Sequence, residues 1–130
     1  MAKRVLVVDD NVAHRAVARI NLQRAGFDVV VESNGRDGWR ALEQQPIDMV
    51  VSDQLMPEMT GLELLRRMRQ HPRFVNLPLI LLTAWGLDLE SDQMCCELGV
   101  GKLMHKPFSP RELVAAVADC LKAFEACRPI

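Results

Sequence analysis

Carboxylates, a threonine and a lysine follow the short apolar runs of this sequence, at points where buried strands would end. Asp9 and Asp10 follow the first run, Asp53 the third, Thr83 the fourth and Lys106 the fifth. If the strands are parallel, these ends meet at one edge of a sheet and the side chains converge. Two charged carboxylates about 4 Å apart repel each other by ~4 kcal/mol at an effective dielectric of about 20. The sequence therefore predicts a cation among them.

The chemistry open to this set is phosphoryl transfer. Oxygen ligands with no cysteine nearby favour Mg²⁺, which takes one or two protein carboxylates and leaves room for a phosphoryl oxygen. Lys106 would be a fixed cation for phosphoryl oxygens, and the Thr83 hydroxyl could donate to the same group. Asp53 would be the nucleophile.

Five apolar runs with the length of buried strands alternate with segments of helical spacing. The runs are Val5 to Val8, Val29 to Val31, Met49 to Val51, Leu79 to Leu82 and Leu103-Met104. Two helices are predicted with buried faces formed by Ala13, Ala16, Val17 and Ile20 and by Gly61, Leu64, Leu65 and Met68. Weaker patterns predict helices over 35–45 and 88–98, the latter ended by Gly99.

The last helix has the clearest start signal, and it completes the pattern. Ser109 is the predicted N-cap, with Pro110 in the first turn and Glu112 closing a capping box.

Alternating strands and helices predict a doubly wound, flavodoxin-like α/β fold. We expect a five-stranded parallel sheet of order 2-1-3-4-5 with helices on both faces. Ligands in such folds bind beyond the carboxyl ends of the strands, where the acidic residues lie.

Composition and charge limit the class of protein. A chain of 130 residues, 49% of them hydrophobic, is the usual size of one domain. A formal charge of -1 provides no strong field for nucleic acid or an anionic membrane. The apolar run Val5 to Val8 is too short for a signal peptide or a membrane span, so we expect a cytoplasmic protein. With no linker in the sequence, we expect one domain over 1–130 and no output domain.

Four ordered motifs resemble the CheY-like receiver domain of bacterial two-component response regulators. They are Asp9-Asp10, then Asp53-Gln-Leu-Met-Pro-Glu-Met-Thr-Gly61, then Thr83-Ala84, then Lys106-Pro107-Phe108. The resemblance extends over essentially the whole chain. It implies a signalling switch, not an enzyme, that is phosphorylated by a sensor histidine kinase or a histidine phosphotransfer protein.

The resemblance also implies a role for each site residue. Asp53 would be the phosphoacceptor and, with Asp10, a direct Mg²⁺ ligand. Asp9 would act through water, and the backbone carbonyl of Leu55 would be a further ligand.

The remaining implied roles concern contacts with the phosphoryl oxygens and the partners that bind the phosphorylated form. Thr83, the amide of Ala84 and Lys106 would contact the oxygens, and the peptide bond before Pro107 would be cis. The downstream target is not identified by the sequence, and a homodimer is left open. The family usually has an aromatic residue where this chain has Leu103.

Three other functions compete with this interpretation. A hydrolase of the haloacid dehalogenase type would place a second aspartate at the position of Leu55, and a flavin carrier would need hydroxyls and amides where Asp9 and Asp10 lie. A degenerate receiver would bind partners without being phosphorylated. Leu103 favours this third alternative, whereas the complete set of site residues argues against it.

Overall fold

The computed structural model describes residues 2–83 and 98–127 and contains five strands and four helices in those residues. The strands are β1 (Arg4–Val8), β2 (Asp28–Glu32), β3 (Met49–Asp53), β4 (Leu79–Thr83) and β5 (Lys102–His105). The helices are α1 (Val12–Arg24), α2 (Gly35–Gln44), α3 (Gly61–Arg69) and α4 (Pro110–Cys127). All five predicted strands are present. The helix predicted over 88–98 lies outside the described residues, except for Leu98.

The strands form one parallel sheet in the order β2-β1-β3-β4-β5, as the sequence predicts. The register pairs Val8 with Ser52, Asp53 with Leu82, and Thr83 with His105. The last residues of β1, β3, β4 and β5 therefore lie along the same edge of the sheet. The sheet reverses its strand order between β1 and β3, which is where ligands bind in folds of this type.

Alternation along the strands gives the sheet two apolar faces, each covered by a pair of helices. On one face, α1 and α4 cover Val5, Val7, Met49, Val51, Ile80 and Leu82. On the other face, α2 and α3 cover Leu6, Val8, Val50, Leu79 and Leu81. Strands buried on both sides explain the nearly continuous apolar runs of the sequence. Of the described helices, none is both long and apolar enough to cross a bilayer.

Each described helix begins just beyond the edge of the sheet where the acidic residues lie, and a polar side chain caps it. Asn11, Asn34 and Thr60 accept hydrogen bonds from the first turns of α1, α2 and α3. The predicted cap of α4 is confirmed, because the amide of Glu112 donates to the Ser109 hydroxyl at 3.1 Å. These caps fix where each strand-to-helix loop ends.

Helix α1 turns a different face to the sheet from the one that its apolar spacing predicts. The buried stripe expected from the sequence was Ala13, Ala16, Val17 and Ile20, and this prediction is wrong. The structure buries Ala18 and Leu22 instead, while Val17 and Ile20 remain 48% and 43% exposed. Arg15 lies one turn before Ala18, and its guanidinium donates to the Asp9 carbonyl at 2.7 Å. Because Arg15 lies on the inner face of α1, Val17 and Ile20 lie on the exposed face.

Candidate functional site

Three carboxylates meet where β1 and β3 end. Oxygen atoms of Asp9, Asp10 and Asp53 all lie within 4.8 Å of one another. Asp9 and Asp53 are only 2% and 7% exposed, whereas Asp10 is exposed to solvent. The structure thus brings together the three acidic residues that the sequence singles out.

Lys106 is the cation that reaches this cluster. Its Nζ lies 3.1 Å from Oδ1 of Asp53, and its side chain is mostly buried. The backbone amide of Lys106 donates to the carbonyl of Thr83 at 2.8 Å, which joins the end of β5 to the end of β4. Thr83 is itself buried. The peptide bond between Lys106 and Pro107 is cis, as predicted.

The environment of Asp53 makes its negative charge costly. Burial raises the pKa of this carboxyl above its ordinary value, and the neighbouring charges of Asp9 and Asp10 raise it further. The hydrogen bond and charge of Lys106 act in the opposite direction but do not cancel these effects. Three carboxylates facing one ammonium leave an excess of negative charge, and a further cation would lower its cost.

The donor set fits a hard divalent cation. Every candidate side-chain ligand of the cluster offers carboxylate oxygen, which is the donor that Mg²⁺ prefers. Asp9 has one oxygen engaged already, because its Oδ1 accepts the backbone N–H of Asn11 at 2.9 Å. The resemblance to the receiver family implies that Asp10 and Asp53 would be direct ligands and that Asp9 would act through water. Leu55 lies in the loop after β3 with a side chain that is 70% exposed.

Sequence reasoning missed the residues that hold the β1 loop in place. Arg15 donates to the backbone carbonyl of Asp9, and Nδ1 of His14 lies 3.7 Å from Oδ2 of the same residue. The sequence contained part of this signal, since an arginine six residues after Asp9 falls at the end of the first turn of the following helix. Without the orientation of α1, however, the sequence could not show which way that side chain points.

The loop after β3 approaches α3 so closely that glycine is required at its end. A Cβ on Gly61 would lie 2.6 Å from the backbone oxygen of Asp53 and 2.5 Å from a methyl carbon of Leu81. The first residue of α3 is therefore packed directly against the residue that carries the central carboxylate.

One of the predicted site residues cannot be placed. Ala84, whose amide was expected to meet phosphoryl oxygens, lies outside the described residues. Leu103 is partly buried and packs against the core on the α2 and α3 side of the sheet.

Known proteins match this chain in both sequence and structure. The sequence profile of the response regulator receiver domain matches residues 5–118. The alkaline phosphatase synthesis transcriptional regulatory protein PhoP of Bacillus subtilis is 36% identical over 130 residues, covering 99% of this chain and 52% of that protein. This chain therefore spans about half the length of that relative.

Two solved structures that match are similar in size to this chain. A response regulator receiver domain protein (CheY-like) from Methanospirillum hungatei superposes with a TM-score of 0.89 at 25% identity, covering 97% of this chain and 98% of that one. The chemotaxis response regulator CheY4 of Vibrio cholerae gives a TM-score of 0.85 at 28% identity, covering 92% and 99% respectively.

Proposed function

Because this chain belongs to the response regulator receiver domain family, we propose that it is a phosphoacceptor switch of a two-component phosphorelay. Asp53 takes a phosphoryl group from a histidine kinase or a histidine phosphotransfer protein in a reaction that depends on Mg²⁺. The observation that carries the proposal is the buried Asp53 carboxylate, which has Lys106 at 3.1 Å and two further carboxylates within 4.8 Å.

Asp53 is the nucleophile of the proposed reaction. One of its carboxylate oxygens attacks phosphorus, so that an acyl phosphate bond forms while the bond from phosphorus to the donor imidazole breaks. The electron pair of that bond returns to the imidazole nitrogen. Mg²⁺, when bound by Asp10, Asp53 and the Leu55 carbonyl, offsets the charge of the carboxylates and of the phosphoryl oxygens.

Lys106 and Thr83 stabilise the product in this scheme. The ammonium of Lys106 already faces Asp53, so it is in place to pair with a phosphoryl oxygen on the same carboxylate. Thr83 stands at the end of β4, one residue beyond the partner of Asp53 in the sheet, and its hydroxyl can donate to the group. We propose the amide of Ala84 as a further donor.

The surface next to the site is suited to a protein donor. Val17 and Ile20 expose apolar side chains on α1, the helix that begins directly after the acidic pair. A cavity of about 550 Å³ lies between α1 and the start of α4, and Asp9, His14 and Lys106 contribute to its lining. We propose that the histidine-bearing partner packs its apolar surface on this side while its imidazole reaches Asp53.

The proposed role is that of a switch and not of an enzyme with turnover. The acyl phosphate changes partner binding. A downstream protein, whose identity is open, recognises the phosphorylated form. Whether the chain forms a homodimer is also open. We place this activity in the cytoplasm, where histidine kinases present their phosphohistidine. We propose no contact between 1–130 and nucleic acid, in line with the net charge of -1.

Transfer from a phosphorylated histidine protein tests the proposal. Label should move to this chain with Mg²⁺ and not with excess chelator. Asp10→Asn should reduce the transfer strongly, whereas Asp28→Asn, which removes an exposed carboxylate that pairs with Arg4, should leave it unchanged. If transfer fails with every histidine donor and with acetyl phosphate, the chain is instead a receiver that binds partners without phosphorylation.

A further inference from the structure

Gln54, the residue directly after Asp53, makes three hydrogen bonds that join β3, β4 and α3. Its backbone N–H donates to the carbonyl of Leu82 at 2.8 Å. Its own carbonyl accepts the N–H of Gly61 at 3.1 Å, and its side-chain Oε1 accepts the N–H of Leu62 at 2.9 Å. A side chain beside the central carboxylate is therefore bonded to the start of the next helix.

These bonds complete the capping of α3. The first four N–H groups of a helix have no partner within the helix. In α3, the N–H of Glu63 is taken by the hydroxyl of Thr60, the N-cap, and the N–H of Leu64 makes the first regular helical bond, to the Thr60 carbonyl. The N–H groups of Gly61 and Leu62 are taken by Gln54. Of the three N–H groups of α3 that precede the first regular helical bond, two are thus satisfied by a residue seven positions before the helix.

The same bonds close the loop that contains Leu55. The loop leaves β3 at Asp53 and returns at Gly61, and Gln54 ties these two ends together. Further along the loop, the N–H of Met59 donates to Pro57 at 2.7 Å, and the Met59 side chain packs against Gly35, where a Cβ would lie 2.8 Å away. The loop is therefore held at its base by Gln54 and at its far end by α2.

We propose that Gln54 is a positioning residue for the divalent cation, which it affects through the loop without touching the ion. Its side chain fixes the backbone between Asp53 and Leu55, so that the Asp53 carboxylate and the Leu55 carbonyl are presented at one place. Residues that orient metal ligands in this way typically change metal affinity by roughly 10- to 100-fold when they are replaced. The inference rests on the proposed function only in assigning these two groups as ligands.

A plain structural role is the competing explanation, because any lost cap destabilises α3. Thr60→Val provides the matched control, since it removes a capping oxygen from the same helix turn while leaving the base of the loop intact. Gln54→Met keeps the length of the side chain but removes the acceptor for Leu62. Gln54→Glu keeps an acceptor at that position, where the N-terminal end of a helix favours a carboxylate.

The experiment measures Mg²⁺ and Mn²⁺ affinity by calorimetry, together with thermal unfolding, in the wild type and these three variants. We expect Gln54→Met and Thr60→Val to lose similar thermal stability, but only Gln54→Met to bind the cations more weakly, by ~10-fold. Gln54→Glu should bind at least as tightly as the wild type. The proposal is overturned if Gln54→Met binds like the wild type, if Thr60→Val weakens binding as much, or if the wild type binds neither ion. Because no phosphodonor is present, a failure of Asp53 phosphorylation is a separate result.

Discussion

The ammonium of Lys106 lies 3.1 Å from Oδ1 of Asp53, although β3, which ends at Asp53, and β5, which precedes Lys106, are not neighbours in the sheet. Asp53 ends β3 and Lys106 follows β5, so the lysine reaches across the end of β4, where Thr83 lies. The amide of Lys106 bonds to Thr83 on the way. A change in the charge of Asp53 therefore acts on Lys106, which follows β5, and through Lys106 on Thr83, which ends β4.

Replacing Lys106 by methionine should slow phosphorylation by acetyl phosphate. A hydrogen bond to a charged group contributes ~1.5–3 kcal/mol, which corresponds to a rate loss on the order of 10- to 100-fold if it forms with the phosphoryl oxygens in the transition state. Lys102→Met, at the exposed first residue of β5, is the control. Initial rates at saturating Mg²⁺ provide the measurement, and equal rates for the two variants would remove Lys106 from the mechanism.

The stability of the metal-free protein should depend on the protonation of Asp53. Its pKa is raised in the fold, first by burial, so the fold favours the neutral carboxyl. This contribution to stability is present at low pH and is lost as the pH rises through the folded pKa. At neutral pH without Mg²⁺, Asp53→Asn should therefore unfold at a higher temperature than the wild type, and the gap should close as the pH is lowered below about 4.

Added Mg²⁺ should reverse that order, because a ligand that binds only the folded state stabilises it and the wild type has the complete ligand set. Thermal scans over pH, with and without Mg²⁺, measure both effects. A wild type that is more stable than Asp53→Asn at neutral pH in chelator would contradict the argument.

The exposed apolar face of α1 should matter for a protein donor and not for a small one. Val17→Lys should reduce phosphotransfer from a phosphorylated histidine kinase at least about tenfold, because a buried interface would have to accept a charge, a cost of ~1.4 kcal/mol or more. Its rate with acetyl phosphate should stay unchanged. Val75→Lys is the matched control, since Val75 is 42% exposed and lies on the segment after α3, away from the site. Equal losses in both variants would indicate a general effect of charge.

Leu55 should affect how long the acyl phosphate survives. Hydrolysis requires a water in line with phosphorus, and an apolar side chain two residues after Asp53 cannot hold one. Leu55→Asn should therefore speed the decay of the phosphorylated protein, with little effect on stability because the side chain is largely exposed. The decay rate after removal of the donor measures this. An unchanged rate would mean that water access is controlled elsewhere.

The fold and the acidic cluster were predictable from the sequence because both depend on local patterns. Strands buried on both faces leave continuous apolar runs, and the carboxyl ends of parallel strands share one edge. Asp9, Asp53 and Lys106 stand directly at those ends, so strand order alone brought them together. The cap at Ser109 was equally local.

The orientation of α1 and the role of Gln54 could not be predicted, because both depend on backbone contacts between distant segments. The inner face of α1 carries Arg15, whose partner is a carbonyl and leaves no mark in the apolar pattern. Gln54 likewise bonds to the N–H groups of a helix that begins seven residues later. Periodicity detects buried side chains, but it does not detect which backbone groups need a partner.

The position of the phosphoryl group decides whether Asp53 is the phosphoacceptor. The protein is incubated with acetyl phosphate and Mg²⁺, its intact mass is measured, and the modified residue is located by fragmentation. We expect a single added phosphoryl group, located at Asp53, present in Asp28→Asn and absent from Asp53→Asn or in chelator. The same added mass on Asp53→Asn, with the same dependence on Mg²⁺, would contradict this expectation.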